Sequence, residues 1–533
     1  MQFARRRLLQ LSVTGTAAGL LPTGGVFAAP SAALSFARVR GGRIAGERAQ
    51  GVHVFRGIPY GADTATRRFL PPQREPAWRG VREAIAYGPA APQRGAEGPG
   101  SEDCLRLNVW TPALRDGGRR PVLVYLHGGG FDTGSGSSPL YDGTRLCLRG
   151  DVVVVTVNHR LNAFGHLHLG DLLGGDYAAS GNAGQLDLVQ ALAWVREHAV
   201  EFGGDPGNVT AFGQSGGGAK IATLMAMPAA RGLFHRAWTM SGQQVTAAGP
   251  RAADGRARLY IDALGLAPAD AARLCTLPVD VLLQGLAARD PSRIEDRALY
   301  FGPVMEGVHL PRHPFWPDAP PQSAGIAMVV GNTRDETRAF LGGDPDSFAI
   351  GWDTLPARLR TQQYLDIDPR LVIARYRELY PDYSPSDVFF AATTAGRSWR
   401  GAVETLEARA RDGRGNTWAY QLDWYPRDVD PHGRLRAFHS LDIALVFDNI
   451  ASSGSKTGVS PDAQRVADAM SDALLAFARS GDPRTGATDA WSPYSLDRRE
   501  TMVFDAAPLL QQDPRGGERR LYAPAPFIQR GTL

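Results

Sequence analysis

Asn208-Val-Thr-Ala-Phe-Gly-Gln-Ser215-Gly-Gly-Gly-Ala-Lys-Ile-Ala-Thr-Leu-Met-Ala-Met227 is the stretch on which the reading of this chain turns. Residues 208–212 form a short apolar β-rich run, and Gly218 to Met227 read as a helix. Gly213-Gln214-Ser215-Gly216-Gly217 must therefore be a turn. A strand that passes through so tight a turn into a helix needs glycine or a very small residue around the serine, and it holds the hydroxyl exposed at a sheet edge. GxSxG alone is a weak pattern among 62 glycines. The strand before it and the helix after it supply the context of a nucleophile elbow.

Working outward, the runs Pro121–Leu126, Asp151–Val157 and Ile326–Val330 are further compact apolar strands bounded by Gly, Asn or Pro. Leu186 to Val200 has apolar residues at helical spacing, at 188, 189, 192, 195 and 199. Alternating strands and helices predict an α/β fold with a large, mostly parallel sheet covered by helices on both faces. The segments 254–315 and 345–440 read as mainly helical insertions beside the sheet. No repeat, linker or composition shift divides residues 34–533, which are expected to form a single domain.

A second glycine-rich motif, His127-Gly128-Gly129-Gly130-Phe131, follows the strand 121–126. Three successive glycines leave backbone N–H groups unshielded, so they can approach a developing oxyanion. With the N–H of Gly216 they predict a three-donor hole from Gly129, Gly130 and Gly216.

Composition removes several other classes. The 533 residues include 58 basic and 54 acidic side chains, and 43% are hydrophobic, so the chain is neither disordered nor a low-complexity linker. Arginine outnumbers lysine 56 to 2 without any arginine-rich run, which argues against a nucleic-acid groove. Three cysteines imply no disulfide framework. The N-terminus has a cationic start, Arg5-Arg6-Arg7-Leu8-Leu9, then an uncharged stretch ending in Val26-Phe27-Ala28, with small residues suited to cleavage. Residues 1–28 are expected to be a signal peptide. Arg5-Arg6 with Leu8-Leu9 resembles a twin-arginine export signal, although Ala4 and Gln10 stand where Ser and Lys are usual. Pro22 and Gly24-Gly25 make a retained anchor the weaker reading. The leader carries three arginines and no acids, so its loss lowers the net charge from +4 to +1.

The elbow and the glycine loop together make the chain recognisable. It resembles the type B carboxylesterases, the α/β-hydrolase family that includes cholinesterases and bacterial para-nitrobenzyl esterases. Ser101-Glu102-Asp103-Cys104-Leu105-Arg106-Leu107-Asn108-Val109 is similar to the family's second signature. Further matches are Arg56–Tyr60, Gly181–Gly184, Phe202–Pro206 and Phe477–Pro483. The resemblance implies the α/β-hydrolase fold, with the insertions shaping an active-site gorge. It also implies a triad of Ser215, Glu336 and His439. Spacing alone cannot choose among eleven histidines; His432 is the rival base and Asp335 the rival acid. Ser241 and Asp442 match family positions beneath the triad, and Arg68 and Glu102 match a structural ion pair.

Three departures narrow the substrate. Gln214 stands where most relatives have Glu, which removes a negative charge beside the acyl site. The segment before Cys104 lacks the tryptophan that holds a quaternary ammonium in cholinesterases. Ala90-Ala91-Pro92 stands where a cysteine partner for Cys104 is expected, so no disulfide is predicted there. The expectation is an exported, periplasmic or secreted serine esterase of a small to medium, uncharged carboxylic ester. It needs no cofactor and has no stable membrane anchor after the leader is removed. The same triad acting on an amide, carbamate or lactone remains open, as does a non-catalytic binding member of the family. His166-Leu-His168 offers ligand-type residues near Asp171 and Asp176, but without a recognised spacing, and no metal is expected. Gly454-Ser-Lys456-Thr457 lacks the first glycine of a phosphate loop. Asn208-Val-Thr210 matches a glycosylation acceptor but should be a buried strand.

Overall fold

The computed structural model describes residues 33–95, 100–291, 298–527 and 529, so the expected leader, 1–28, lies outside the described residues. Thirteen strands of the described residues form one sheet. The first five are β1 (Ala33–Val39), β2 (Gly42–Ala49), β3 (Val52–Pro59), β4 (Val81–Glu83) and β5 (Arg106–Thr111). The next four are β6 (Arg120–Leu126), β7 (Val153–Val157), β8 (Gly204–Gln214) and β9 (Arg236–Met240). The last four are β10 (Ala327–Thr333), β11 (Thr417–Leu422), β12 (Glu500–Phe504) and β13 (Leu509–Gln512).

Their order is β1-β2-β3-β5-β7-β6-β8-β9-β10-β11-β12-β13, with β4 alongside β2. Every neighbouring pair from β7 to β12 is parallel, and antiparallel pairs close both edges. A parallel sheet needs cover on both faces, and the side chains divide accordingly. Val122, Val124 and Leu126 of β6 pack into the same core as Leu188, Leu192 and Val195 of the helix Ala183–His198. Leu123 and Tyr125 point the other way, into the core of Met470, Leu474 and Phe477 on the helix Pro461–Ser480.

The expected strands are present with small shifts in their ends, and β8 extends well beyond 208–212. Two readings change. Helices of the first insertion end at Gly285, and none occurs among the described residues of 298–320. The second insertion is helical only to Arg411. It is followed by β11, a fully buried parallel strand between β10 and β12. Thr417-Trp-Ala-Tyr-Gln-Leu422 is buried on both faces and so lacks the alternation that marks a half-exposed strand. Thr417 and Gln421 also break the continuous apolar run by which the other buried strands are read. Cys104, Cys147 and Cys275 are free thiols. Asn208-Val-Thr210 lies within strand β8 as expected, with Val209 and Thr210 buried and Asn208 itself half-buried.

Candidate active site

Ser215 joins β8 to the helix Gly216–Leu224 with φ 56° and ψ −126°. A non-glycine residue held there stores on the order of 1–3 kcal/mol of strain. The surroundings enforce it: the Ser215 N–H donates to the Met240 carbonyl of β9 at 2.7 Å. A Cβ on Gly217 would stand 1.9 Å from the Leu126 carbonyl oxygen, and one on Gly213 would stand 2.7 Å from the same atom. The elbow glycines are therefore required by contact with the end of β6.

That contact also seats the glycine loop. Gly129 and Gly130 have φ of +82° and +63°, and a Cβ on Gly216 would lie 2.1 Å from the Gly130 carbonyl oxygen. Among the described residues no group accepts a hydrogen bond from the N–H of Gly129, Gly130 or Gly216. The loop is anchored from below by a residue the sequence reading passed over. Lys220, one turn into the elbow helix, donates from Nζ to the His127 carbonyl at 2.9 Å. It is fully buried, and burial pushes its ammonium down to about 7. His127 stacks on His159 at 5.0 Å, and burial and the Lys220 charge hold both imidazoles well below their ordinary range. A signal was available: Lys220 is one of only two lysines, in a helix whose every residue is buried.

Glu336 lies three residues beyond β10, and His439 is on the loop that follows β11. The structure joins them through a short hydrogen bond from His439 Nδ1 to Glu336 Oε2. Glu336 Oε1 accepts from the Thr333 N–H at 3.0 Å and from Asn332 Nδ2 at 3.1 Å. Burial pushes this carboxyl up. The His439 imidazole and the surrounding donors outweigh it and leave Glu336 below the usual carboxylate range. Asp335 faces Arg338 instead, and His432 is exposed on a turn, so neither rival reaches this contact.

Ser241 is buried beside Glu336 and helps keep it ionised, although its hydroxyl makes no well-directed hydrogen bond. Asp442 Oδ2 accepts from Tyr420 on β11 at 2.8 Å, and burial pushes its carboxyl up to about 6. Gln214 lies 3.1 Å from His439 through their Nε2 atoms. Since Nδ1–H faces the carboxylate, His439 Nε2 accepts and the Gln214 carboxamide donates. Ser215 Oγ makes no hydrogen bond to His439 in this arrangement, but both line one cavity of about 580 Å³. Gly128, Gly129 and Gly130 form one wall of it, and Tyr300, Phe340 and Arg397 contribute to the others. Arg68 and Glu102 form a buried bidentate ion pair away from this cavity.

The sequence model of the carboxylesterase family matches residues 28–518. Para-nitrobenzyl esterase of Bacillus subtilis (strain 168) is 36% identical over 499 residues, covering 91% of this chain and 97% of the relative. Phenmedipham hydrolase of Pseudarthrobacter oxydans is 33% identical over 490 residues, covering 88% and 94%. A crystal structure of Geobacillus stearothermophilus carboxylesterase EST55 superposes with a TM-score of 0.81 at 39% identity, covering 91% of this chain and 99% of that one.

Proposed function

The chain belongs to the carboxylesterase family, and from that premise we propose that it hydrolyses a small to medium, uncharged carboxylic ester through an acyl-enzyme on Ser215. Ser215 Oγ attacks the ester carbonyl. His439 Nε2 takes its proton and then delivers it to the leaving alcohol. Glu336 fixes the imidazole with its proton on Nδ1 and stabilises the imidazolium. The N–H groups of Gly129, Gly130 and Gly216 receive the tetrahedral oxyanion; loss of one such donor costs roughly a hundredfold or more in rate. Water, activated by His439, then releases the acid.

The observation that carries this reading is convergence. A strained serine, a buried imidazole–carboxylate pair and a loop of free N–H groups face one cavity. A volume of about 580 Å³ suits a ligand of modest size. Asp132 and Arg397 in its lining carry opposite charges, which suits a substrate without net charge. We also read residues 1–28 as an export leader and residues 34–533 as one catalytic domain, which places the mature enzyme in the periplasm or outside the cell. Among the described residues no helix is long and apolar enough to cross a membrane.

The test is hydrolysis of a short-chain para-nitrophenyl ester by the wild-type and Ser215→Ala proteins. The wild type should turn over, and the variant should fall to background while keeping its melting temperature. Equal turnover by the two would sink the assignment.

A further inference from the structure

Away from the cavity, a second group of side chains converges with its chemistry unsatisfied. His168 precedes the short helix Gly170–Leu173, which carries Asp171, and Asp254 projects from the separate helix Pro250–Ala263. One ligand-capable atom from each residue lies within 4.8 Å of the other two. His168 Nε2 is 3.8 Å from Asp254 Oδ1, too far for a hydrogen bond. Two donors sharing a cation at about 2.0–2.2 Å each can stand that far apart.

His168 is only 6% exposed and makes no hydrogen bond; its Nδ1 is buried without a partner. Asp254 Oδ1 is likewise buried without a partner. Asp171 completes the group, so two carboxyl groups and one imidazole converge at this point. Glu306 adds a further negative charge near His168, and Arg258 is the cation that Asp254 feels. Two carboxyl groups and the Nε2 of a buried imidazole, brought together from separate elements, form a pocket in which one divalent cation would bridge His168 Nε2 and the otherwise unpartnered Asp254 Oδ1.

We propose that His168, Asp171 and Asp254 bind one divalent transition-metal cation, manganese or zinc, with solvent completing its coordination on the exposed Asp171 side. A mixed nitrogen and oxygen donor set favours these ions over magnesium and calcium, which take all-oxygen sites, and over copper(I), which takes sulfur. His166 and Asp176 do not join, because their ligand atoms are not among those that converge with His168, Asp171 and Asp254. The ion would brace the 167–177 segment against the helix Pro250–Ala263. It takes no part in ester chemistry, since none of its three ligands lines the cavity of Ser215.

The experiment uses the full chain, stripped with a chelator and titrated calorimetrically with manganese chloride and with zinc chloride. Melting temperature and manganese electron paramagnetic resonance are followed in parallel. The wild type should bind one equivalent and melt at higher temperature when loaded, and magnesium should do neither. Asp171→Asn, at an exposed position that does not threaten folding, should weaken binding roughly tenfold or more. Asp254→Asn should do the same while leaving ester turnover unchanged. The Ser215→Ala protein should bind metal like the wild type, which separates this inference from the esterase reading. No saturable binding, or binding and a thermal shift that Asp171→Asn leaves intact, overturns the proposal.

Discussion

Glu336→Gln is the substitution whose outcome the site geometry dictates most completely. Oε1 of Glu336 already accepts from two N–H donors, Thr333 N at 3.0 Å and Asn332 Nδ2 at 3.1 Å. A glutamine in this fully buried position must place its carbonyl oxygen there, because an NH2 group facing two donors would be left unpaired. Its NH2 is then forced towards His439 Nδ1, which must become an acceptor. The imidazole proton moves to Nε2, the atom that has to accept from Ser215, and the charge opposing the imidazolium disappears. Together these losses should lower kcat on the order of ten-thousandfold, about 5.5 kcal/mol at 1.36 kcal/mol per decade. KM for a para-nitrophenyl ester should change little. Steady-state kinetics on protein with a wild-type circular dichroism spectrum reads this directly. Asp335→Asn is the matched control; its side chain faces Arg338, and it should stay within a few fold of wild type. A Glu336→Gln enzyme within about tenfold of wild type would refute both the forced amide orientation and the role given to Glu336.

Two further outcomes follow from the packing around the elbow. Gly216→Ala places a methyl group 2.1 Å from the Gly130 carbonyl oxygen and must push the loop away from the serine, so kcat should fall about a hundredfold or more without global unfolding; unchanged kcat would count against these donors. Lys220→Met removes an ammonium whose folded value, about 7, is well below its ordinary 10.5. Between those values the unfolded chain holds a proton that the folded chain does not, so this lysine makes wild-type stability rise with pH across that window and imposes its full penalty below it. The melting temperature of Lys220→Met relative to wild type should therefore be highest at pH 7 and below, and should decline towards pH 10. A pH-independent difference would show that Lys220 is not buried as the structure has it.

What could be read in advance was local. The elbow and the Gly128–Gly130 loop are written in glycines because each absent Cβ answers to a backbone atom within a few residues of a strand end, such as Leu126 O against Gly217. Contacts between distant segments left no such mark. The hydrogen bond of His439 to Glu336 spans 103 residues, and only the family resemblance singled that histidine out of eleven. Gln214 was noticed as a missing charge, but its contact with His439 Nε2 needed coordinates. His166-Leu-His168 with Asp171 and Asp176 shows no ligand spacing in the sequence, and Asp254, which the fold brings beside His168 and Asp171, lies some eighty residues further on in a separate helix. β11 escaped because Thr417 and Gln421 break the continuous apolar run by which buried strands such as β7 are read.

The sheet order explains why residues read from local signals come to face one cavity. β6, β8, β9, β10 and β11 lie consecutively and run parallel, so the segments leaving their C-terminal ends emerge on one edge. Gly128–Gly130 begin two residues after β6 ends, Ser215 directly follows β8, and Glu336 comes three residues after β10. Short tethers leave these groups little choice of position. His439 is different, because a long loop separates it from β11. Backbone hydrogen bonds supply the missing constraint: Asp335 N–H donates to the Ala437 carbonyl at 2.9 Å, and His439 N–H donates to the Glu336 carbonyl at 3.3 Å. The loop is thus docked onto the segment that carries Glu336, so the residue hardest to find by spacing is held by the residue it hydrogen-bonds.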